Sequence, residues 1–250
     1  MERKVSVVTG AAQGLGWAIC ESLAKDGFDV VLLDRLPDVR DRAKELEARG
    51  TRAHAVVADL MDAGALPGTA KDILSAAGRC DVLVNNAGVH YKNQGRRVTL
   101  EELDLDNWHR TIAVNLTAPL LLCQAFLPGM KERRWGRVIN LSSRAGRTYT
   151  APASPSYAMS KAGIMGLTRS MAGEYAAYGI TCNCIAPGRI RTPMTDASSP
   201  EVRAAAEKEL PVGRVGEPME IGAAVSFVAS DSAGFITGAT LDVNGGGFMG

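Results

Sequence analysis

The chain has 250 residues, 28 Lys+Arg against 27 Asp+Glu, and 46% hydrophobic residues. That length suits one large or two small domains, and the near-neutral balance gives no reason to expect nucleic acid or an anionic membrane surface as partner. The five cysteines are odd in number and contain no C-x-x-C pair, so neither a disulfide framework nor a zinc site is expected, and a reducing cytoplasm fits.

Strand-like β-branched runs fall at 4–9, 29–33, 53–58, 82–85, 137–141, 181–185 and 240–243. Several are apolar at successive positions, as in strands buried on both faces. Helix-length periodic stretches lie between them at 15–25, 38–49, 62–77, 106–130, 156–178 and 219–229. This alternation predicts an α/β fold, a doubly wound parallel sheet with helices on both faces, in a single domain spanning 1–250. The stretch 111–130 is uncharged enough to consider for a membrane. It carries Asn115, Pro119, Gln124 and Pro128, so a buried helix is expected there and no membrane partner. Irregular segments at 89–100, 143–155 and 189–211 each follow a strand. Ligands in such sheets bind beyond the carboxyl ends of the strands. The three segments are therefore expected to wall one site, with 189–211 as the substrate loop.

Gly10, Gly14 and Gly16 sit between the first strand and the first helix, with Gln13 and Leu15 among them. Glycines there permit a tight turn and close backbone approach to a pyrophosphate, which the helix N-terminus attracts. The spacing is G-x-x-x-G-x-G, so strand-to-helix context carries the reading. Asp34 ends the second strand, where a carboxylate accepts from a ribose 2′-hydroxyl and repels a 2′-phosphate. NAD is therefore expected in preference to NADP, although Arg35 next door is able to reach a 2′-phosphate. Asp59 and Leu60 end the third strand, facing an adenine or capping a helix N-terminus, and Asn86-Ala87-Gly88 ends the fourth. Pro119 denies the Asn115 carbonyl its i+4 donor, leaving that carbonyl to hold a water or the helix simply to kink.

Tyr157 and Lys161 stand one helical turn apart. An ammonium ~4 Å from a phenol at an effective dielectric of ~20 supplies about the 4 kcal/mol needed to bring a tyrosine from ~10 to near neutrality. Tyr157 is then a general acid/base for an alcohol or carbonyl.

In order and spacing, residues 9–16, Asp59, 86–88, Asn115, Ser142-Ser143, Tyr157/Lys161, Pro187-Gly188 and 241–246 resemble the short-chain dehydrogenase/reductase family over nearly the whole chain. The resemblance implies a Rossmann-type domain with seven strands in order 3-2-1-4-5-6-7. It implies catalytic Asn115, Ser143, Tyr157 and Lys161, with Ser142 as the fallback serine, and a nicotinamide segment at Pro187, Gly188, Ile190 and Thr192. Tyr157 and Lys161 would also contact the cofactor. A homotetramer built on the helices near 106–130 and 156–178 follows from the same resemblance.

Substrate contacts are expected from His90, Arg144, Tyr149 and Arg189, and the substrate is a small alcohol or carbonyl compound. The three histidines (54, 90 and 109) have no clustered partners, so no metal is expected. The leading function is NAD(P)-dependent hydride transfer to or from a secondary alcohol or ketone. The alternative is a non-catalytic dinucleotide sensor or regulatory subunit on the same fold.

Overall fold

The computed structural model describes residues 3–192, 207–208 and 210–250. Seven strands form one parallel sheet: β1 Val5–Thr9, β2 Asp29–Asp34, β3 Ala53–Val57, β4 Val82–Asn85, β7 Gly136–Leu141, β8 Ile180–Pro187 and β9 Thr240–Val243. Their order across the sheet is β3-β2-β1-β4-β7-β8-β9, the expected one. A two-stranded antiparallel hairpin, β5 Lys92–Asn93 with β6 Arg96–Arg97, stands apart from it. Its turn uses Gln94 and Gly95 at positive φ. This hairpin was not expected, because four polar residues flanking a Gln-Gly pair carry no apolar alternation.

Strand side chains alternate between two cores, as a period of two dictates. Val8, Val30, Leu32, Val82, Val84, Ile139 and Ile185 enter one core, together with helix α1 (Gly14–Lys25) and α2 (Val39–Ala48). Val7, Val31, Leu33, Leu83 and Val138 enter the other, beside α3 (Leu66–Ala77). Each fully buried Val or Leu contributes roughly 1.5–3 kcal/mol, which is why successive apolar residues in these strands read correctly as two-faced burial. Helix α3 begins at Leu66 rather than near 62, since the Asp62 carboxylate accepts from Ala65 N at 3.1 Å and holds a turn ahead of it.

The apolar helix expected at 106–130 is interrupted. It runs as α4 (Leu105–Ile112), a π-helical turn at Ala113–Thr117, and α5 (Ala118–Arg133). Pro119 has no N–H to donate, and the chain widens so that Ala118 N–H bonds the Ala113 carbonyl. By length and hydropathy this helix could cross a membrane, but here 44% of its apolar window is buried in the fold. Leu122, Cys123, Phe126, Leu127 and Met130 pack into the second core. Helix α6 (Pro155–Tyr175) lies beside it, and α7 (Pro218–Ala229) packs on α1.

Candidate active site

Because the strands are parallel, the segments that follow β1, β2, β4, β7 and β8 emerge on one edge of the sheet. The glycine loop occupies the end of β1. Gly10 and Gly14 take φ of +67° and +58°, and a Cβ on Gly16 would run into the Gly10 carbonyl. A Cβ on Gly14 would meet only Thr192 Cγ2, at 3.8 Å. Gln13 is the N-cap of α1 and supplies no side-chain cap, so the first N–H groups of the helix stay available. This open, glycine-lined helix terminus fits a pyrophosphate.

Side chains from the neighbouring strand ends clamp the loop. Asn86 Nδ2 donates to the Thr9 and Gly10 carbonyls at 2.8 and 3.1 Å. The Thr9 hydroxyl accepts from Asn86 N and Ala87 N, both at 3.0 Å. Asp34 is 8% exposed; its carboxylate accepts from Ala12 N at 2.9 Å and Leu36 N at 3.0 Å. It therefore ties the tip of β2 to the glycine loop. Arg35 is exposed beside it. Asp59 is exposed and accepts from Met61 N, capping a turn rather than a helix, since the next helix starts only at Leu66, while Leu60 is buried.

Asn115, Ser143, Tyr157 and Lys161 arrive from the π-turn, the end of β7 and helix α6. The Asn115 amide pairs with Val89 as a strand would, accepting from Val89 N at 2.8 Å and donating to Val89 O at 3.1 Å. It also donates to Ser160 Oγ at 2.9 Å, and Ser160 donates to the Tyr157 carbonyl at 2.8 Å. Ser160 had not been singled out; its position three residues after Tyr157, on the same helix face, is the signal that could have found it. A Cβ on Gly88 would lie 3.2 Å from Lys161 Nζ and 3.4 Å from Asn115 Oδ1, so the end of β4 reaches this cluster too.

The two serines separate clearly. Ser142 is buried and donates to the Lys161 carbonyl at 2.6 Å, a structural bond. The Ser143 hydroxyl is hydrogen-bonded with Tyr157, and that bond lowers the phenol's pKa.

The charge relation between Tyr157 and Lys161 differs from expectation. Lys161 Nζ stands 5.7 Å from the Tyr157 ring centre and donates to the Leu141 carbonyl at 2.7 Å. Burial drives the Lys161 ammonium down to about 8. Burial also pushes the Tyr157 phenol up, only partly offset by Ser143. Burial thus disfavours the charged form of both groups, and the phenol stands raised rather than lowered in the unliganded chain.

The residues expected to face the substrate each have their own partners. His90 stacks on Tyr157 with ring centres 4.6 Å apart. Arg144 reaches the Gly247 carbonyl at 3.5 Å. Arg189 lines a cleft with Leu210, Val212, Arg214 and Asn244. Tyr149 is 76% exposed and its hydroxyl accepts from Arg97 of the hairpin at 3.0 Å, which draws it toward β6. Pro187 ends β8, Gly188 N donates to Val243 O at 3.0 Å, and Ile190 bridges to Gly216. Most of the loop expected at 189–211 lies outside the described residues. Among the described residues, no group of three or more His, Cys, Asp or Glu is placed to hold a metal.

A family model described as enoyl-(acyl carrier protein) reductase matches residues 10–247. The chain is 39% identical over 249 residues to the 3-oxoacyl-[acyl-carrier-protein] reductase FabG of Vibrio harveyi, covering 100% of this chain and 99% of that protein. A 3-oxoacyl-[acyl-carrier protein] reductase of Brucella melitensis with bound NAD superposes with a TM-score of 0.92 at 37% identity, covering 100% of this chain and 92% of that one. A blue fluorescent protein from a metagenomic library, in complex with NADPH, gives a TM-score of 0.90 at 34% identity, with 98% of each chain covered. With relatives at this identity over its full length, the chain belongs to the short-chain dehydrogenase/reductase family of NAD(P)-dependent oxidoreductases.

Proposed function

We propose that this enzyme is a dehydrogenase or reductase of secondary alcohols and ketones that prefers NAD to NADP, with Tyr157 as its general acid/base. The observation that carries the reading is the convergence of Asn115, Ser143, Tyr157 and Lys161 beside an open glycine-lined helix terminus. A bound nicotinamide supplies the hydride acceptor or donor. The chain's own residues do the rest. The backbone at 10–16 and 86–88 holds the dinucleotide, aided by Pro187, Gly188, Ile190 and Thr192. Tyr157 Oη takes the alcohol's proton in oxidation and returns it in reduction. Ser143 holds the substrate oxygen against that hydroxyl. Lys161 anchors the ribose, and Asn115 fixes the loop after β4 through Val89.

Preference for NAD rests on Asp34, whose carboxylate would repel a 2′-phosphate. His90, Arg144, Tyr149, Arg189 and the 189–211 segment are the proposed substrate-side residues, and a homotetramer in the cytoplasm is the proposed state. The non-catalytic alternative is not favoured, because the relatives are oxidoreductases. Parallel NAD and NADP assays, with a panel of secondary alcohols and ketones that includes a 3-oxoacyl thioester, test the activity. Tyr157→Phe should abolish turnover and leave NADH binding largely intact. If the variant keeps most of its kcat, the assignment of the proton-transfer role is wrong.

A further inference from the structure

His90 is half-buried and sits in an unusual place for a loop histidine. Its ring lies on the Tyr157 phenol, with centres 4.6 Å apart and planes 28° from parallel. Its Nε2 accepts from Ser154 N at 3.1 Å. Ser154 is the N-cap of α6, is 1% exposed, and makes no side-chain cap of its own. Tyr157 is the third residue of that helix. The residue before His90 is held on both sides of its peptide by the Asn115 amide. Asn115, Val89, His90, Ser154 and Tyr157 therefore form one continuous brace, which joins the end of β4 to the first turn of α6.

We propose that His90 is a positioning residue for Tyr157, whose imidazole fixes the phenol's orientation, shields one of its faces from water and ties the start of α6 to the cofactor side of the site. This rests on Tyr157 being the proton-transfer residue. The bond from Ser154 N requires an unprotonated Nε2, which places the imidazole proton on Nδ1. Burial and the nearby Lys92 charge hold His90 down at about 4, so it is neutral throughout the working range of such an enzyme. The titratable groups facing the pair are Lys161 from α6, with Nζ 5.7 Å from the phenol ring centre, and Lys92 beside the imidazole. Ser143 bonds the phenol hydroxyl. A neutral aromatic plane favours an oriented phenol, because stacked rings resist rotation and exclude solvent from the covered face.

The test compares His90→Ala, His90→Phe and His90→Asn in alcohol oxidation at saturating cofactor. Phe keeps the plane and removes the acceptor; Asn keeps an acceptor and removes the plane. In His90→Ala, kcat is expected to fall at least about tenfold, while the NADH dissociation constant changes less than about twofold. Water reaching the phenol lowers its pKa, so the rising limb of the kcat–pH profile moves to lower pH in His90→Ala and His90→Asn. His90→Phe keeps the wild-type limb. A merely structural role would lower the melting temperature without moving the limb. The proposal is overturned by a His90→Ala kcat within twofold of wild type, or by a limb that stays put in Ala and Asn, or by one that moves equally in Phe. If His90→Ala does not fold, the Phe-against-Asn comparison decides by the same criterion. An inactive Tyr157→Phe beside a normal His90→Ala would sink only this proposal, whereas an active Tyr157→Phe would sink the reading beneath it.

Discussion

Replacing Lys161 with Met tests whether the ammonium acts on the phenol through its charge. Met has similar reach and no charge. In the structure the ammonium stands 5.7 Å from the phenol ring centre. At an effective dielectric of ~20, a unit charge at that range is worth about 3 kcal/mol, or about two pH units on the phenol. Lys161 titrates at about 8, because burial works against its charge. Below that pH the wild-type phenol faces a cation and ionises more readily than the variant's. Above it both phenols face a neutral neighbour. In alcohol oxidation the phenolate is the base, so the advantage of wild type over Lys161→Met should be about 100-fold greater near pH ~6.5 than near pH ~10. Losing the bond to the Leu141 carbonyl, or a ribose contact, lowers kcat by a factor common to both ends of the range. The assay is steady-state NADH absorbance at saturating NAD and alcohol across that range. A wild-type to variant ratio that stays flat with pH refutes the electrostatic argument and leaves Lys161 a role in contact alone.

Three further outcomes are expected. Gly16→Ala drives a Cβ into the Gly10 backbone carbonyl and to 2.7 Å from Asn86 Nδ2, which its bonds to the Thr9 and Gly10 carbonyls hold in place, so a loss of about 2 kcal/mol or more is expected in urea denaturation, with NADH binding abolished. Thr168→Val removes the acceptor for Asn140 Nδ2, 2.8 Å away in a fully buried site; this costs ~1–3 kcal/mol by denaturant midpoint while leaving the KM for NAD unchanged. Asp34→Ala strips the acceptor from Ala12 N and Leu36 N and removes the charge opposing a 2′-phosphate. The ratio of kcat/KM for NADP over NAD should then rise at least about tenfold, and an unchanged ratio would count against Asp34 as the discriminating residue.

The strand runs were legible because burial on both faces leaves its mark in consecutive residues: 29–33 is apolar after Asp29, and its side chains do alternate between two cores. The glycine loop was legible because positive φ at Gly10 and Gly14 is a local demand that almost only glycine meets. The π-turn was half legible. Pro119 announced a missing donor four residues after Asn115, but a water site, a kink and a widened turn answer that equally well. Ser142 and Ser143 are neighbours of identical chemistry, and only their partners in the fold separate them: Ser142 donates to the Lys161 carbonyl and Ser143 bonds Tyr157. Tyr149, assigned to the substrate side, is turned toward Arg97 by a hairpin that left no apolar pattern to read.

What the chain order settles by itself is the alternation of strands and helices, the phosphate-type turn and the company Tyr157 keeps with Lys161, since each depends on residues within a few positions of one another. The tertiary structure decided how strongly burial disfavours the charge on each of the two groups. That penalty depends on how much water remains around each group, and the walls that remove it come from segments 20 to 67 residues away: Leu141 on Lys161 and His90 on Tyr157. No local pattern records that burial, because it exists only once strands, π-turn and α6 have closed around the pair.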